Sequence, residues 1–207
     1  MGDNRTGASI RLVILRHGRS VSNMLRDSKR LGRCATPEEI QASQNIRDPP
    51  LTEFGREAAL WYRPILHSCL ESLGMDHRTT CIGSSRLRRA QQTAELLFPG
   101  MDLFIFPSLG EDGDLPENTP RGLSYELPSW EGFLRELCSA WRKRKGRYSD
   151  FVVVAHGTFI RNVISSLSGS KISPVTNLSG FAIDLSLDLK SGNLVPVGDV
   201  ISLKFPS

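Results

Sequence analysis

The apolar positions of this chain follow two periodicities. Short continuous runs, rich in β-branched residues, occur within "SIRLVILRHGRSVSN", at 79–83 in "TTCIGSSRLRRAQQTAELLF", and within "DFVVVAHGTFIRNVISSL". Runs without alternation suit strands covered on both faces, as in a parallel sheet flanked by helices. Longer segments repeat apolar residues at helical spacing instead. "LTEFGREAALWYRPILHSCLESLG" sets Ala58, Ala59, Tyr62, Ile65, Leu66 and Leu70 on one face behind Thr52 as N-cap, with Pro64 as a kink. The 79–83 strand turns at Ser84 and Ser85 into a helix with Leu87, Ala90, Ala94 and Leu97 inward. "SWEGFLRELCSAWRKRK" repeats the pattern with Phe133, Leu134, Leu137 and Trp141 behind Ser129, and its basic end at 142–147 complements a helix C-terminus.

"LFIFP", "GFAIDLSL" and "VISLKF" add short strands. The alternation predicts an α/β fold: a three-layer sandwich with a mostly parallel central sheet flanked by helices. No low-complexity linker divides the 207 residues, so one domain is expected over 1–207. Two stretches lack either periodicity, 24–50 and 110–128. Both follow elements that end near the histidines considered below, and they are expected to form walls or a small loop and helix cap over the strand carboxyl ends.

Composition narrows the setting. With 39% hydrophobic and 23% charged residues the chain reads as an ordinary globular protein. "MGDNRTGAS" lacks the apolar core of a signal peptide, and no apolar run approaches bilayer length, so a cytoplasmic protein without stable membrane insertion is expected. Gly2 followed by Thr6 matches the loose N-myristoylation pattern, whose single acyl chain anchors only weakly. Cys34, Cys69, Cys81 and Cys138 form neither a C-x-x-C pair nor a Cys/His cluster, which points to reduced thiols. A net charge of +4 suits an acidic substrate. The basic run "WRKRKGR" has no aromatic platform beside it, so no nucleic-acid partner is expected. The pattern sets no oligomeric state.

Candidate chemistry gathers at two matched places. His17 and His156 each follow an apolar run, precede Gly, and lead through a hydroxyl residue (Ser20, Thr158) into a potential helix. Both should therefore sit at strand carboxyl ends, where open α/β sheets bind ligands. Arg16 and Arg19 flank His17, and cations packed this closely call for an anion. Arg86, Arg88 and Arg89 crowd the expected first turn of a helix, where positive charge opposes the macrodipole. A zinc site built on the two histidines lacks a third ligand and conflicts with these arginines, so no metal or other cofactor is expected. His67 and His77 have no such context and are expected at the surface or at helix ends.

The segments "LRHGRSVSN", "DPPLTEFGREAA", "SSRLRRAQQTAELL", "LGEDGDLPEN" and "VVVAHGTFIRN" occur in an order that resembles the histidine phosphatase superfamily, in the branch containing phosphoglycerate mutases and small phosphatases. The resemblance runs from about Ile10 to Val163 and implies His17 as a nucleophile that takes up a phosphoryl group. It implies Arg16, Arg89 and His156 as phosphate ligands, Arg89 being the arginine directly before the alanine of that motif. A leaving alkoxide needs a proton, which a carboxylic acid beside the phosphate can supply. The family pattern points to Glu111, with Asp112, Asp114 and Glu117 as alternatives. Asn23, Ser20 and Arg19 are further candidate substrate contacts, Arg19 either gripping a second anionic group or facing solvent. The mutases carry an acidic or amide residue where Arg19 stands, and they have longer capping segments. The implied activity is therefore a metal-independent phosphomonoesterase acting on a phosphorylated small molecule or phosphoprotein. A mutase-type phosphotransferase and a non-catalytic phosphate binder are the alternatives.

Overall fold

The apolar runs pair into one sheet. In the computed structural model, which describes residues 9–30, 47–113, 116–143, 149–188 and 191–203, the strands are β1 (Ser9–Arg16), β2 (Thr80–Ser84), β3 (Leu103–Ile105), β4 (Asp150–Ala155), β5 (Gly180–Leu187) and β6 (Leu194–Leu203). Their order is β3-β2-β4-β1-β5-β6. The first four run parallel; β5 and β6 close one side antiparallel. The helices are α1 (Val21–Arg30), α2 (Glu53–Ser72), α3 (Arg88–Leu97), α4 (Trp130–Lys143) and α5 (Gly157–Ser168).

Alternation along the central strands sends side chains to two separate cores. Ile10, Leu12 and Ile14 of β1, with Phe151 and Val153 of β4, pack against Phe133 and Leu137 of α4 and Ile160 and Ile164 of α5. Val13, Leu15, Val152 and Val154 pack on the opposite face against Ala59 and Leu66 of α2 and Ala90, Ala94 and Leu97 of α3. This is the three-layer α/β arrangement that the continuous apolar runs imply: with helices on both faces, neither face of β1 or β4 needs polar residues.

Local signals account for most boundaries. Thr52 caps α2 by accepting the Gly55 N–H at 3.0 Å, and Ser129 caps α4 by accepting the Gly132 N–H at 3.0 Å. Helix α2 runs through Pro64 to Ser72, because Ala59 before it and Leu66 and Leu70 after it share one buried face. The link from β2 to α3 differs from expectation. The strand extends to Ser84, and the helix begins only at Arg88, leaving Arg86 outside the first turn. Its N-cap position, Leu87, makes no side-chain cap. The buried carboxylate of Asp48 accepts the Arg88 N–H at 2.7 Å instead, so an anion from 40 residues upstream meets the helix dipole that the arginines oppose.

Cys69, Cys81 and Cys138 are free thiols, and no described helix is long and apolar enough to cross a membrane. The lipidation pattern at 1–6, Cys34, most of the 24–50 segment, Asp114, the basic residues 144–147 and the last residues of "VISLKF" lie outside the described residues.

Candidate active site

Strand register brings the two histidines together. Arg16 pairs with Ala155, so His17 and His156 are each the first residue beyond the same rung of adjacent parallel strands. Their ring centroids are 5.1 Å apart, and both side chains are buried. Strand β2 ends on the other side of β4, where the Ser85 N–H donates to the Val154 carbonyl at 3.1 Å and Ser85 Oγ lies 2.7 Å from His156 Nε2.

Neighbouring hydrogen bonds set the tautomer of each imidazole. His17 Nδ1–H donates to the Gly18 carbonyl at 2.6 Å, which leaves the lone pair on Nε2. Ser85 Oγ accepts the Leu87 N–H at 3.2 Å and lies 2.7 Å from His156 Nε2, and the Glu111 carboxyl oxygen facing the other ring nitrogen favours a proton on Nδ1, with the Ser85 hydroxyl donating to Nε2. His156 then carries its proton on Nδ1, a buried atom with no hydrogen-bond partner, 4.0 Å from Glu111 Oε2.

The loop that carries His17 is held at every residue. Asn177 Nδ2 donates to the His17 carbonyl at 2.8 Å, and the Gly18 N–H donates to Thr93 Oγ1 at 3.0 Å. The N–H and hydroxyl of Thr52 both donate to the Arg19 carbonyl, at 3.0 and 3.1 Å. Helix α2 approaches so closely that a Cβ on Gly55 would lie 2.1 Å from that same oxygen, which excludes any larger residue without backbone movement.

Two guanidiniums converge on the histidines. Arg89, buried in the first turn of α3, donates from Nε to His17 Nε2 at 3.2 Å, from one terminal nitrogen to the Glu117 carbonyl at 2.7 Å, and from the other to Asn118 Oδ1 at 3.3 Å. Arg16 donates to the Val175 carbonyl at 2.6 Å, while its Nε is buried without a partner beside Gly157, where a Cβ would come within 3.0 Å. Helix α5 begins at that glycine, so its amino-terminal N–H groups and positive dipole end also lie beside Arg16.

The electrostatics are those of a site with excess positive charge. Burial holds His17 well below the usual imidazole range, and Arg89 and Arg16 depress it further. Burial acts likewise on His156, followed by Arg89, His17 and Arg16. Both rings are therefore neutral near pH 7. Arg89 is itself pushed down to about 10 by burial, against the opposing pull of Glu111, Asp48 and Glu117. An anion entering here relieves both effects.

Of the four candidate acids, Glu111 is buried with the histidines, and ligand atoms of His17, Glu111 and His156 all lie within 4.8 Å of one another. Asp112 is exposed, Glu117 pairs with Arg26 at 3.1 Å, and Asp114 lies outside the described residues. Glu111 thus supplies the third metal-type donor that sequence spacing did not reveal. The donor set still does not fit a cation, because Arg89 Nε–H occupies the His17 Nε2 lone pair and Arg16 adds a second guanidinium charge.

The remaining candidates divide, with Ser20 and Asn23 beside the His17 loop and Arg19 turned away from it. Ser20 and Asn23 cap α1 reciprocally: the Ser20 N–H donates to Asn23 Oδ1 at 3.2 Å, and the Asn23 N–H donates to Ser20 Oγ at 3.4 Å. Asn23 Oδ1 also accepts from Asn177 at 3.2 Å, which leaves its NH2 as the group able to meet a ligand. Arg19 turns away to Asp27, at 3.2 Å, and lies over the Phe54 ring. His67 bonds the Leu97 carbonyl at 2.9 Å, and His77 is exposed beside Asp76. Ser85, Thr93, Asn118 and Asn177 were not singled out by sequence reasoning. Ser85 and Thr93 stand inside the motif that holds Arg89, whereas Asn177 lies in a segment with no pattern at all.

No protein-family model matches the sequence, and no curated protein matches it. Solved structures do share its fold. The chain is similar to a phosphoserine phosphatase from Entamoeba histolytica in complex with 3-phosphoglyceric acid, with 14% identity, 95% of this chain and 98% of that one covered, and a TM-score of 0.52. It is similar to a phosphoglycerate mutase from Bacillus anthracis, with 19% identity, 93% of each chain covered and a TM-score of 0.54. It is also similar to the protein histidine phosphatase SixA complexed with tungstate, with 17% identity, 93% of this chain and 96% of that one covered, and a TM-score of 0.52. The fold is the one that the histidine phosphatase resemblance implies.

Proposed function

We propose that the chain is a metal-independent phosphomonoesterase that works through a phosphohistidine on His17. The observation that carries this reading is the placement of a neutral, Nε2-nucleophilic His17 against the Arg89 guanidinium, with Glu111 and His156 within one ligand's width. In the first step the His17 Nε2 lone pair attacks phosphorus. The ester P–O bond breaks, its electron pair stays on the leaving oxygen, and Glu111 delivers a proton there. In the second step water attacks the phosphohistidine, Glu111 takes the water proton, and the N–P pair returns to His17 as inorganic phosphate leaves.

Arg16, Arg89 and the His156 Nδ1–H are the donors for the non-bridging oxygens. They are held in advance by Val175, Glu117, Asn118 and Ser85, so the field at the transferring group costs little reorganisation. Because His156 presents Nδ1–H as a neutral tautomer, it can donate without first becoming charged. The substrate class is a phosphate monoester on a small molecule or a phosphoprotein; the fold comparisons include a phosphoserine phosphatase and a protein histidine phosphatase.

Rapid quench with a 32P-labelled aryl phosphate in the presence of a chelator tests the reading. It requires an acid-labile, base-stable phosphoenzyme that disappears with His17→Ala. Full turnover by that variant would overturn it. Label appearing on a second substrate faster than free phosphate would replace hydrolysis with mutase-type transfer.

A further inference from the structure

We infer that Arg26 reads a second anionic group on the substrate, with Glu117 as the internal counter-ion that this group displaces. The inference rests on the phosphoryl-binding role proposed for Arg16 and Arg89. Helix α1 places Asn23 and Arg26 three residues apart, hence on one face, and Asn23 is the end that reaches the His17 loop through Asn177. Arg26 stands one turn further out. Its guanidinium meets Glu117 Oε1 at 3.1 Å; the Glu117 carbonyl holds Arg89 at 2.7 Å; and Arg89 touches His17 at 3.2 Å. Three contacts therefore connect Arg26 to His17. The Arg26 side chain is 60% exposed, against 29% for Glu117, so it is the partner open to an incoming ligand.

The charge pattern gives this residue a use beyond an ordinary surface ion pair. Arg26 is close enough to disfavour positive charge at Arg16, His17 and Arg89 alike, as a smaller effect beside burial. A guanidinium that adds to an already overloaded cationic site is disfavoured in the free protein unless an anion compensates it, and Glu117 is that anion in this state. A carboxylate or second phosphate on the substrate can take Glu117's place and engage the planar guanidinium through two oxygens, where Glu117 uses one. Arg19, the cation that sequence position suggests for this purpose, is engaged by Asp27 and Phe54 instead.

Matched ester pairs provide the test: phosphoglycolate against ethyl phosphate, 3-phosphooxypropanoate against propyl phosphate, and ethylene glycol bisphosphate as the two-phosphate arm. In the wild type, kcat/KM for at least one anionic member should exceed that of its neutral partner by about tenfold to 100-fold, the range of a charge-assisted hydrogen bond. Arg26→Gln should remove most of that ratio, Arg26→Lys should retain part of it, and Glu117→Gln should raise it. A wild-type ratio near one, or a ratio that survives Arg26→Gln in a protein with unchanged circular dichroism, overturns the inference. Calorimetric binding of 3-phosphonopropionate against propylphosphonate reads the same ratio without turnover. A protein that hydrolyses none of the esters but keeps the Arg26-dependent binding ratio contradicts the hydrolase reading and supports the role of Arg26.

Discussion

The Arg89 Nε–H donates to His17 Nε2 at 3.2 Å, so the guanidinium covers the lone pair on which the proposed chemistry depends. Its terminal nitrogens are tied to Glu117 and Asn118. Phosphate entry must therefore exchange one hydrogen bond of a fixed fork rather than recruit a free side chain. Lysine cannot reproduce that fork. Arg89→Lys should lower kcat/KM for an aryl phosphate by about 100-fold or more, with the loss in kcat as well as KM. Steady-state kinetics check this, and a change confined to KM would reduce Arg89 to a binding contact.

Ser85 acts through His156, not on substrate. Removing its hydroxyl frees His156 to place its proton on either nitrogen, so Ser85→Ala should cost about tenfold in kcat. The 15N chemical shifts of His156 should at the same time move away from a pure Nδ1–H tautomer. Slower turnover with an unchanged tautomer would contradict the positioning role.

Glu111→Gln separates proton donation from charge. Alkyl phosphates, whose leaving oxygen needs a proton, should lose about 100-fold to 10,000-fold, whereas p-nitrophenyl phosphate should lose far less in the first step. Equal losses for both leaving groups would shift the donor role to another acid, with Glu117 and Asp112 tested next by the same comparison.

Both histidines titrate well below 6.5 when folded, chiefly because they are buried, and at the ordinary value when unfolded. Below about pH 6.5 the unfolded chain takes up two protons that the native state does not, so these groups lower stability as pH falls. The slope approaches about 2.7 kcal/mol per pH unit for the pair between 6.5 and their native values. Urea denaturation at a series of pH values should show this slope, halved in His17→Gln. His17 of the free protein stays neutral through this range, so kcat/KM should not fall on its account between pH 7 and 6.

How much of this was legible depends on whether the responsible signal is local. Continuous apolar runs in β1 and β4, helical spacing in α2, α3 and α4, and hydroxyl caps at Thr52 and Ser129 are all short-range patterns. They determine the α/β alternation and put His17 and His156 at strand ends, because each strand is followed at once by its histidine. Motif resemblance added Arg16, Arg89 and Glu111, which the fold gathers around the same two rings.

Sequence by itself could not determine the partners of these groups, because hydrogen bonds across 40 to 160 residues leave no periodic trace. Asp48 capping α3, Asn177 holding the His17 carbonyl and Ser85 orienting His156 exist only once β1, β2 and β4 lie side by side in one register. The two flanking arginines show the division most plainly. Both stand beside His17 in sequence, yet strand geometry aims Arg16 along Gly157 into the site, while the turn after the strand sends Arg19 to Asp27. Tertiary packing then brought Arg26, a residue without any motif, to Glu117, whose carbonyl holds Arg89, because one helical turn beyond Asn23 is where Glu117 arrives.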